Sequence, residues 1–220
     1  MTITHNEIST PLYAVIDLGS NSFHMLITRQ LANSVQVVDK VKRKVRLASG
    51  LNAKNVLSQT AIARGLECLS FFAERLQDIP QENVRIVATA ALRLATNRDE
   101  FLSQADKILG QKISLLSGKQ EAENIYLGVA HTNCGAKKRF VIDIGGASTE
   151  LILGDGFVTQ HVESLDIGCV TFNNIYFSDG KLTPKNFSRA ILAAKKIIAP
   201  LVECYKNTGW QIVLSGSGTM

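Results

Sequence analysis

Carboxylates, hydroxyls and glycines occur together at two places in the chain, and both places have the residue types that hold a phosphate. The first is Asp17-Leu-Gly-Ser-Asn-Ser22 and the second is Asp143-Ile-Gly-Gly-Ala-Ser-Thr-Glu150. Glycine lets the backbone approach an anion and direct N–H groups at it, while serine and threonine hydroxyls donate further hydrogen bonds. An aspartate at a strand end can hold a divalent metal directly or through water. The two stretches therefore indicate chemistry on a phosphate chain.

Both polar turns lie within one repeated segment. Residues 14–27 and 140–153 align without a gap, and each reads as an apolar run, a polar turn and a second apolar run. The identical pairs are Val15/Val141, Ile16/Ile142, Asp17/Asp143, Gly19/Gly145 and Ser22/Ser148. Each copy predicts a β-hairpin with a polar tip. A lone copy could equally be a tight turn and nothing more, but the repeat predicts two lobes that grip a phosphate chain between facing hairpins.

Four motifs carry a family resemblance. They are the two turns above, Ser117-Gly-Lys-Gln-Glu-Ala122 and Gly216-Ser-Gly-Thr219. In their order along the chain they resemble the motifs of the exopolyphosphatase / guanosine pentaphosphate phosphatase family, which belongs to the actin, sugar-kinase and chaperone-ATPase superfamily. The resemblance runs from about Leu12 to the last residue. Segments such as Lys42-Arg-Lys-Val-Arg-Leu-Ala48 look more like the guanosine pentaphosphate phosphatase branch.

This resemblance implies an α/β fold with two duplicated actin-like (ribonuclease H-like) lobes. Each lobe is expected to be a mixed sheet flanked by helices, with a cleft between the lobes. We expect residues 1–124 to form the first lobe and residues 125–220 the second. Because the glycine turn at Gly216 is followed by further sequence in relatives, we expect the second lobe to be incomplete and less stable than the first.

The family also implies a reaction, the hydrolysis of a terminal phosphoanhydride with Mg²⁺ and an attacking water. The expected substrate is guanosine pentaphosphate, converted to guanosine tetraphosphate in the bacterial stringent response, and inorganic polyphosphate is the alternative. A non-catalytic nucleotide-binding module is an alternative from another class, against which Glu121, Asp143 and Glu150 argue. A homodimer of the full-length protein is a further expectation.

Matching to the family's motifs assigns roles to individual residues. Glu121 is the candidate general base, Arg93 is a second catalytic candidate that would contact phosphate, and Asp143 and Glu150 are candidates for the metal. The predicted phosphate-binding residues are Asp17, Ser20, Asn21, Ser22, Gly145, Gly146, Ser148 and Thr149. Ordinary roles stay open for four of these side chains. Glu121 could complement a helix N-terminus, Asp143 could cap its turn, and Arg93 and Glu150 could be exposed to solvent.

Three other residues near the motifs receive interpretations. Gln120 stands where the family usually has Glu, but a glutamine can still complete a capping box with Ser117. His24 and His131 lie in apolar surroundings in the sequence, and both are interpreted as structural.

Composition and charge limit the classes of protein to which the chain can belong. With 220 residues, 45% hydrophobic and 20% charged, the chain is typical of a soluble globular protein of one or two domains. The N-terminal residues have neither the basic region nor the apolar core of a signal peptide, so we expect a cytoplasmic protein without a membrane partner. The four cysteines are widely scattered, so neither disulfides nor zinc are expected.

A net charge of +5 suits a polyanionic partner, and part of it is concentrated on one predicted strand. Lys40, Lys42, Lys44 and Arg46 alternate with other residues, which places four cations on one strand face. That face could attract phosphate chains or could simply be solvated. No aromatic residues are interleaved with these cations, so a single-stranded nucleic acid partner is not indicated.

Periodicity and capping signals predict the elements that position these residues. Strands are predicted at about 12–17, 22–30, 34–47, 84–89, 112–116, 139–144, 149–154, 157–165 and 211–214. Helices are predicted from Ser58 to before Pro80, at 98–109, from Ser117, from Gly168 to about Phe177, and from Thr183 to Tyr205. Pro200 falls inside the last pattern and predicts a kink or a split. The alternation of strand, helix and strand after the first three strands predicts parallel pairing.

Overall fold

In the computed structural model, which describes residues 10–32, 34–133 and 138–216, the chain forms two mixed sheets with helices packed against them. Residues 1–9 of the polar N-terminus, the loop that contains Cys134 and the glycine turn from Ser217 onward lie outside the described residues. The α/β fold predicted from the sequence is confirmed.

The first sheet has five strands in the order β3-β2-β1-β4-β5. The strands are β1 (Leu12–Leu18), β2 (Ser22–Leu31), β3 (Ser34–Lys44), β4 (Val84–Ala88) and β5 (Ser114–Leu115). β1, β2 and β3 form an antiparallel meander, while β4 pairs in parallel with β1 and β5 pairs in parallel with β4. Both the meander and the parallel pairing agree with the sequence prediction.

Three helices follow the meander, α1 (Gln59–Arg75), α2 (Ala90–Leu94) and α3 (Arg98–Leu109). The Ser58 hydroxyl accepts a hydrogen bond from the Ala61 N–H, and α3 ends at Gly110 with a left-handed φ of 70°. The buried side chains of α1 and α3, such as Phe72 and Phe101, share one core with Ile16 of β1. This core is the largest cluster of buried apolar residues in the described chain and fixes β1 and its polar end.

The second sheet has four strands in the order β8-β7-β6-β9. They are β6 (Lys138–Ile144), β7 (Thr149–Asp155), β8 (Val158–Leu165) and β9 (Ile212–Ser215), with β9 parallel to β6 and the others antiparallel. Helix α4 (Gly118–Thr132) follows directly after the first sheet and packs on the second through Ala122 and Tyr126. Its predicted capping box of Ser117 and Gln120 is confirmed, with both hydrogen bonds present.

The remaining helices are α5 (Cys169–Tyr176), α6 (Pro184–Ile198) and α7 (Val202–Thr208). A 3-10 turn at Ala199–Leu201 separates α6 from α7, so Pro200 splits the predicted long helix as expected. Tyr205 of α7 donates a hydrogen bond from its hydroxyl to the Leu151 carbonyl at 2.9 Å, which ties α7 to β7.

One strand boundary differs from the sequence prediction in a way that matters for the site. β3 ends at Lys44 and not at residue 47, because Arg46 adopts a left-handed φ of 54° and leaves the sheet. The Arg46 N–H instead donates to the Asn21 carbonyl at 2.8 Å. The predicted row of four cations on one strand face is therefore wrong for Arg46, and three lysines remain on β3.

No helix within the described ranges is both long and apolar enough to span a membrane. Of the cysteines in these ranges, Cys68 is buried, Cys169 and Cys204 are exposed, and all three are free thiols.

Candidate functional site

The tips of the two repeated hairpins face each other across an open cleft of about 380 Å³. The residues that line it are mostly polar and come from both sheets and from α4: Asp17, Gly19, Ser20, Asn21, Ser22, His24, Lys42, Thr89, Glu121, Asp143, Gly145, Gly146, Ser148 and Gly216. The cleft thus contains nine of the residues predicted from the sequence, eight of them from the two turns and the ninth Glu121. Arg93, Thr149 and Glu150 are not among its lining residues.

Both hairpin turns need glycine at the same place for the same steric reason. A Cβ atom on Gly19 would lie 2.7 Å from the Ser22 carbonyl oxygen, and one on Gly145 would lie 3.1 Å from the Ser148 carbonyl oxygen. The Gly145 N–H donates to that Ser148 oxygen at 2.9 Å and closes the second turn. The sequence repeat is therefore a repeat of local geometry.

Each turn is also held by the element that follows its meander. Behind the first turn, the N–H groups of Arg46 and Ala48 donate to the carbonyls of Asn21 and Ser20, both at 2.8 Å. Behind the second, the first N–H groups of α5 donate to the carbonyls of Gly145 and Gly146, at 3.0 and 2.9 Å for the nearest pairs. Because these carbonyl oxygens are hydrogen-bonded in this way, they repel an anion in the cleft less strongly.

The two turns also contact each other at one end of the cleft. A Cβ atom on Gly146 would lie 2.9 Å from the Ser20 Cβ and 3.6 Å from the Asn21 nitrogen. Next to this contact, Ala147 is buried in the core of the first sheet and Val170 packs against it. The small side chains of the second turn therefore allow the two hairpins to approach closely enough for one phosphate chain to reach both.

Three carboxylates line the cleft, and burial opposes the ionisation of two of them, Asp17 and Glu121. Burial, followed by the nearby charge of Asp143, raises the pKa of Asp17 to about 6. Burial also raises the pKa of Glu121, although the hydrogen bond and charge of Arg93 oppose this, and Asp17 and Asp143 add smaller increases. Among protein atoms of the described residues, Asp17 Oδ1 is buried without a hydrogen-bond partner. Such a set of oxygen donors suits a hard divalent cation such as Mg²⁺.

Arg93 lies behind Glu121 and donates three hydrogen bonds to protein groups. Its Nη1 donates to Glu121 Oε2 at 2.9 Å and to the Leu116 carbonyl at 3.1 Å, while its Nη2 donates to Ser164 Oγ at 3.4 Å. The side chains of Arg93 and Glu121 are only 24% and 14% exposed, so this ion pair is partly desolvated. The structure thus places Arg93 next to the candidate base, and the predicted phosphate contact stays a prediction.

Glu150 and Thr149 lie behind the second turn. Glu150 is 1% exposed, and its Oε1 accepts hydrogen bonds from Ser148 Oγ at 2.6 Å and Ser164 Oγ at 2.8 Å. Burial, followed by the charge of Glu121, raises its pKa to about 7 although the hydrogen bonds from Ser148 and Ser164 oppose the increase. The Thr149 hydroxyl donates to the Ile167 carbonyl. The structure therefore does not bring these two residues to the cleft wall, and its lining carboxylates are those of Asp17, Asp143 and Glu121.

Within the described residues, no group of three or more His, Cys, Asp or Glu side chains is arranged as a metal site. The roles of Asp143 and Glu150 as metal ligands accordingly stay predictions. Of the two, Asp143 is the one that faces the cleft.

The sequence did not predict two of the side chains in the cleft, His24 and Thr89, and it predicted Lys42 only as one of the cations on β3 that could attract phosphate. The expected apolar surroundings of His24 are wrong, because this β2 residue lines the cleft between its strand partners Asp17 of β1 and Lys42 of β3. Its structural role stays a prediction. Burial, followed by the charges of Lys42 and Lys40, lowers the pKa of His24. Counting residues outward from the turn of the first hairpin would have placed His24 opposite Asp17.

Comparison with known proteins places this architecture in context. Residues 26–220 match the Ppx/GppA phosphatase family. A protein from Photobacterium profundum named guanosine-5'-triphosphate,3'-diphosphate pyrophosphatase is 59% identical over 215 residues, which is 98% of this chain and 43% of that protein. The chain therefore spans less than half the length of this curated relative.

Solved structures agree with the sequence relatives. An exopolyphosphatase-like protein superposes with a TM-score of 0.88 at 25% identity, covering 96% of this chain and 67% of the other. The PPX-GPPA enzyme from Aquifex aeolicus superposes with a TM-score of 0.70 at 27% identity, covering 87% of this chain and 64% of the other. More distant structures at 12% identity share the fold alone. The predicted actin-like architecture is confirmed.

Proposed function

The chain belongs to the Ppx/GppA phosphatase family, and from this premise we propose that it carries the phosphate-binding and hydrolytic site of a guanosine pentaphosphate phosphatase. In the proposed reaction water attacks the terminal 5′-phosphorus, and the products are guanosine tetraphosphate and inorganic phosphate. The observation that carries the proposal is the cleft itself, in which two phosphate-type turns face each other beside Glu121. The name of the Photobacterium profundum relative supports the choice of nucleotide.

Glu121 is the group that accepts the proton of the attacking water. A new bond forms between the water oxygen and the terminal phosphorus, the bridging P–O bond breaks, and the bridging oxygen leaves with the tetraphosphate. The raised pKa of Glu121 makes its carboxylate a stronger base than an exposed glutamate. Arg93 holds one carboxylate oxygen at 2.9 Å and so fixes the orientation of the group.

The two turns bind and orient the phosphate chain. Ser20, Asn21 and Ser22 line one wall of the cleft, and Gly145, Gly146 and Ser148 line the facing wall. Backbone N–H groups and hydroxyls are suited to phosphate oxygens because they donate without bringing a bulky side chain. Binding a chain from two sides restricts its rotation and presents the terminal group to Glu121.

Mg²⁺ fits the donor set of this cleft. Asp17 and Asp143 supply two facing carboxylates, and the buried Asp17 Oδ1 has no hydrogen-bond partner among the described protein atoms. A bound Mg²⁺ supplies positive charge that offsets the phosphate oxygens and the two carboxylates. Asp17 and Asp143 are the residues we assign to holding it.

Phosphate release on three substrates tests the proposed function. The purified protein is given guanosine pentaphosphate, inorganic polyphosphate and ATP at equal terminal-phosphate concentrations with Mg²⁺. We expect kcat/KM to be largest for guanosine pentaphosphate, with tetraphosphate as the nucleotide product. Release of phosphate from ATP at the same kcat/KM, or no release from the pentaphosphate, would reject the assignment.

Inorganic polyphosphate is a second candidate substrate, favoured by the cations on β3. Lys42 lines the cleft, and Lys44 and Lys40 follow on the same strand at alternate positions, so positive charge continues beyond the cleft along the sheet edge. A long phosphate chain would meet this charge, whereas a nucleotide would reach less of it. Similarity to an exopolyphosphatase-like structure agrees with this candidate.

Charge reversal tests the second candidate. The double variant Lys40→Glu/Lys44→Glu changes cations of β3 outside the cleft lining, and we expect KM for polyphosphate to rise about tenfold, with a smaller change for guanosine pentaphosphate. The difference should shrink in high salt, because exposed charges are screened. Lys112→Glu/Lys119→Glu makes the same change of net charge elsewhere and is the matched control. Equal losses for both substrates would instead favour a solvated strand face.

A further inference from the structure

The hydroxyl of Ser164, near the end of β8, connects Glu150 with Arg93, which in turn contacts Glu121. β7 and β8 pair Glu150 directly with Ser164, so both side chains lie on one face of the second sheet. Ser164 Oγ donates to Glu150 Oε1 at 2.8 Å, and Arg93 Nη2 donates to the same Oγ at 3.4 Å. Arg93 in turn donates to Glu121. A continuous path of hydrogen bonds therefore runs from Glu121 through Arg93 and Ser164 to Glu150.

The chemistry of the groups fixes the direction of these hydrogen bonds. A guanidinium can only donate, so Ser164 Oγ must accept from Arg93, and the single hydroxyl proton is left for the Glu150 carboxylate. Alanine at position 164 would remove both interactions of the hydroxyl at once. Glu150 would still accept from Ser148 Oγ at 2.6 Å, but Arg93 Nη2 would lose an acceptor. The substitution should therefore free Arg93 Nη2 while Nη1 stays bound to Glu121 and the Leu116 carbonyl.

A glycine in α4 shows how tightly Ser164 is packed against the helix that carries Glu121. A Cβ atom on Gly118 would lie 2.5 Å from the Ser164 Cβ and 2.7 Å from its Oγ, with Arg93 Nη2 at 3.7 Å. Any larger residue at position 118 would force α4 away from β8. The start of α4, the end of β8 and Arg93 of α2 thus meet at one point, beside the cleft but outside its lining.

We propose that Ser164 is a positioning residue for hydrolysis, which holds Arg93 in the orientation that in turn orients Glu121. This inference rests on the proposed function, because Glu121 must be the base for its orientation to affect turnover. Ser164 does not line the cleft, so it has no direct part in holding substrate. Its loss therefore lowers kcat and leaves KM nearly unchanged.

Steady-state kinetics on guanosine pentaphosphate test the role directly. We expect Ser164→Ala to lower kcat about tenfold, which corresponds to about 1.4 kcal/mol of transition-state stabilisation, with KM changed less than twofold. Thr159→Ala removes a hydroxyl from the same strand away from this network and should leave both constants unchanged. A rise in KM at constant kcat would overturn the proposal, since it would assign Ser164 to substrate binding.

A double-mutant cycle identifies the partner through which Ser164 acts. Arg93→Lys keeps the positive charge but loses the second N–H branch that reaches Ser164. If Ser164 acts through Arg93, the tenfold loss in Ser164→Ala should shrink to about twofold or less when it is introduced into Arg93→Lys. A full tenfold loss in that background would overturn the proposal.

The same four proteins should also be unfolded in urea, which separates this proposal from the proposed function. Non-additive changes in the free energy of unfolding show that Ser164 and Arg93 are coupled even if the wild-type protein does not hydrolyse guanosine pentaphosphate. Inactive wild type with coupled stability rejects the proposed function alone. Additive stability changes reject the contact, and with it the positioning role.

Discussion

The Glu121 side chain is largely buried, is paired with Arg93 and lines the cleft. Burial disfavours its charged form, whereas Arg93 at 2.9 Å favours it, and the balance leaves the pKa raised. A surface glutamate in the first turn of a helix would interact only with the helix dipole. The side chain is therefore suited to accept a proton. Complementing the N-terminus of α4 is not its only role.

The first prediction concerns this carboxylate. Glu121→Gln keeps the shape and the hydrogen-bond capacity of the side chain but removes its ability to take a proton. We expect kcat to fall roughly 100-fold or more, with substrate affinity nearly unchanged. Glu123→Gln, two residues along the same helix, is the matched control and should retain activity. Near-normal turnover in Glu121→Gln would remove this residue from the mechanism.

The second prediction uses the raised pKa of Asp17. Its pKa is about 6 in the folded protein, above the ordinary value of 3.8. Between pH 3.8 and pH 6 the folded protein therefore keeps a proton on Asp17 that the unfolded chain has lost. Stability from this group is thus present below about pH 4 and is lost as the pH rises through 6. Without Mg²⁺, Asp17→Asn should be about 1–2 kcal/mol more stable than wild type at pH 8 and equal to it at pH 3.5.

Urea unfolding at both pH values measures this difference. The exposed Asp78 provides the control, since Asp78→Asn should show no such pH-dependent gain. Added Mg²⁺ should stabilise wild type by about 1.4 kcal/mol at tenfold its Kd and should stabilise Asp17→Asn much less. Equal stabilisation of both proteins by Mg²⁺ would contradict the assignment of Asp17 to the cation.

Among the elements, the helices that follow the two meanders do more than fill the core. The 3-10 turn at Ala48–Gly50 and the first turn of α5 each approach the polar turn of the preceding hairpin, and their N–H groups hold its carbonyls. Gly168, just before α5, lies against the backbone of the second turn. The shape of each phosphate-type turn therefore depends on an element that is distant in the chain.

The third prediction tests this support of the second turn. A Cβ atom on Gly168 would lie 2.4 Å from the backbone of Ala147 and from the Gly146 carbonyl oxygen, and backbone atoms cannot rotate away. We expect Gly168→Ala to lower the free energy of unfolding by about 2 kcal/mol and to raise KM, because the turn must shift. Fluorescence-monitored unfolding and phosphate release measure the two effects.

Helix α4 offers the matched control for this change. A Cβ atom on Gly128 meets nothing within 4 Å, so Gly128→Ala should stabilise the helix by up to about 1 kcal/mol and leave KM unchanged. If Gly168→Ala were equally harmless, the second turn would not depend on α5.

At the scale of the whole molecule, the two sheets differ in how much apolar surface they bury. The first shares one large core with α1 and α3, whereas the second is packed by two small clusters, one under α4 and one under Tyr205. Several large apolar side chains of α6 and β9 are exposed, including Phe187, Ile191, Leu192 and Val213. Less burial means less hydrophobic stabilisation for the second sheet.

The fourth prediction follows from this difference in burial. In native-state hydrogen exchange, the amides of Val141 and Ile152 in the second sheet should exchange faster than those of Ile16 and Leu26 in the first, at least tenfold in rate. Equal protection of the two sheets would show that the small clusters stabilise the second sheet as well as the large core stabilises the first. The measurement uses the 220-residue chain itself.

The sequence by itself determined the features that depend on neighbours in the chain. The two hairpins, the capping box at Ser117, the left-handed end of α3 at Gly110 and the split at Pro200 all follow from local backbone preferences, and all are present. The polar turns also identified most of the cleft, because Gly19 and Gly145 are required by contacts within their own turns.

Only the tertiary structure decided how distant parts of the chain meet. The strand register brings His24 and Lys42 to the cleft. Arg46 turns away after β3 and its N–H holds the first turn. Ser164 of the second sheet contacts Arg93 of α2. Glu150 follows the second turn immediately, yet its carboxylate lies behind the turn on two serine hydroxyls. Local preference cannot fix such positions, because they depend on pairing and packing between segments that the chain separates by many residues.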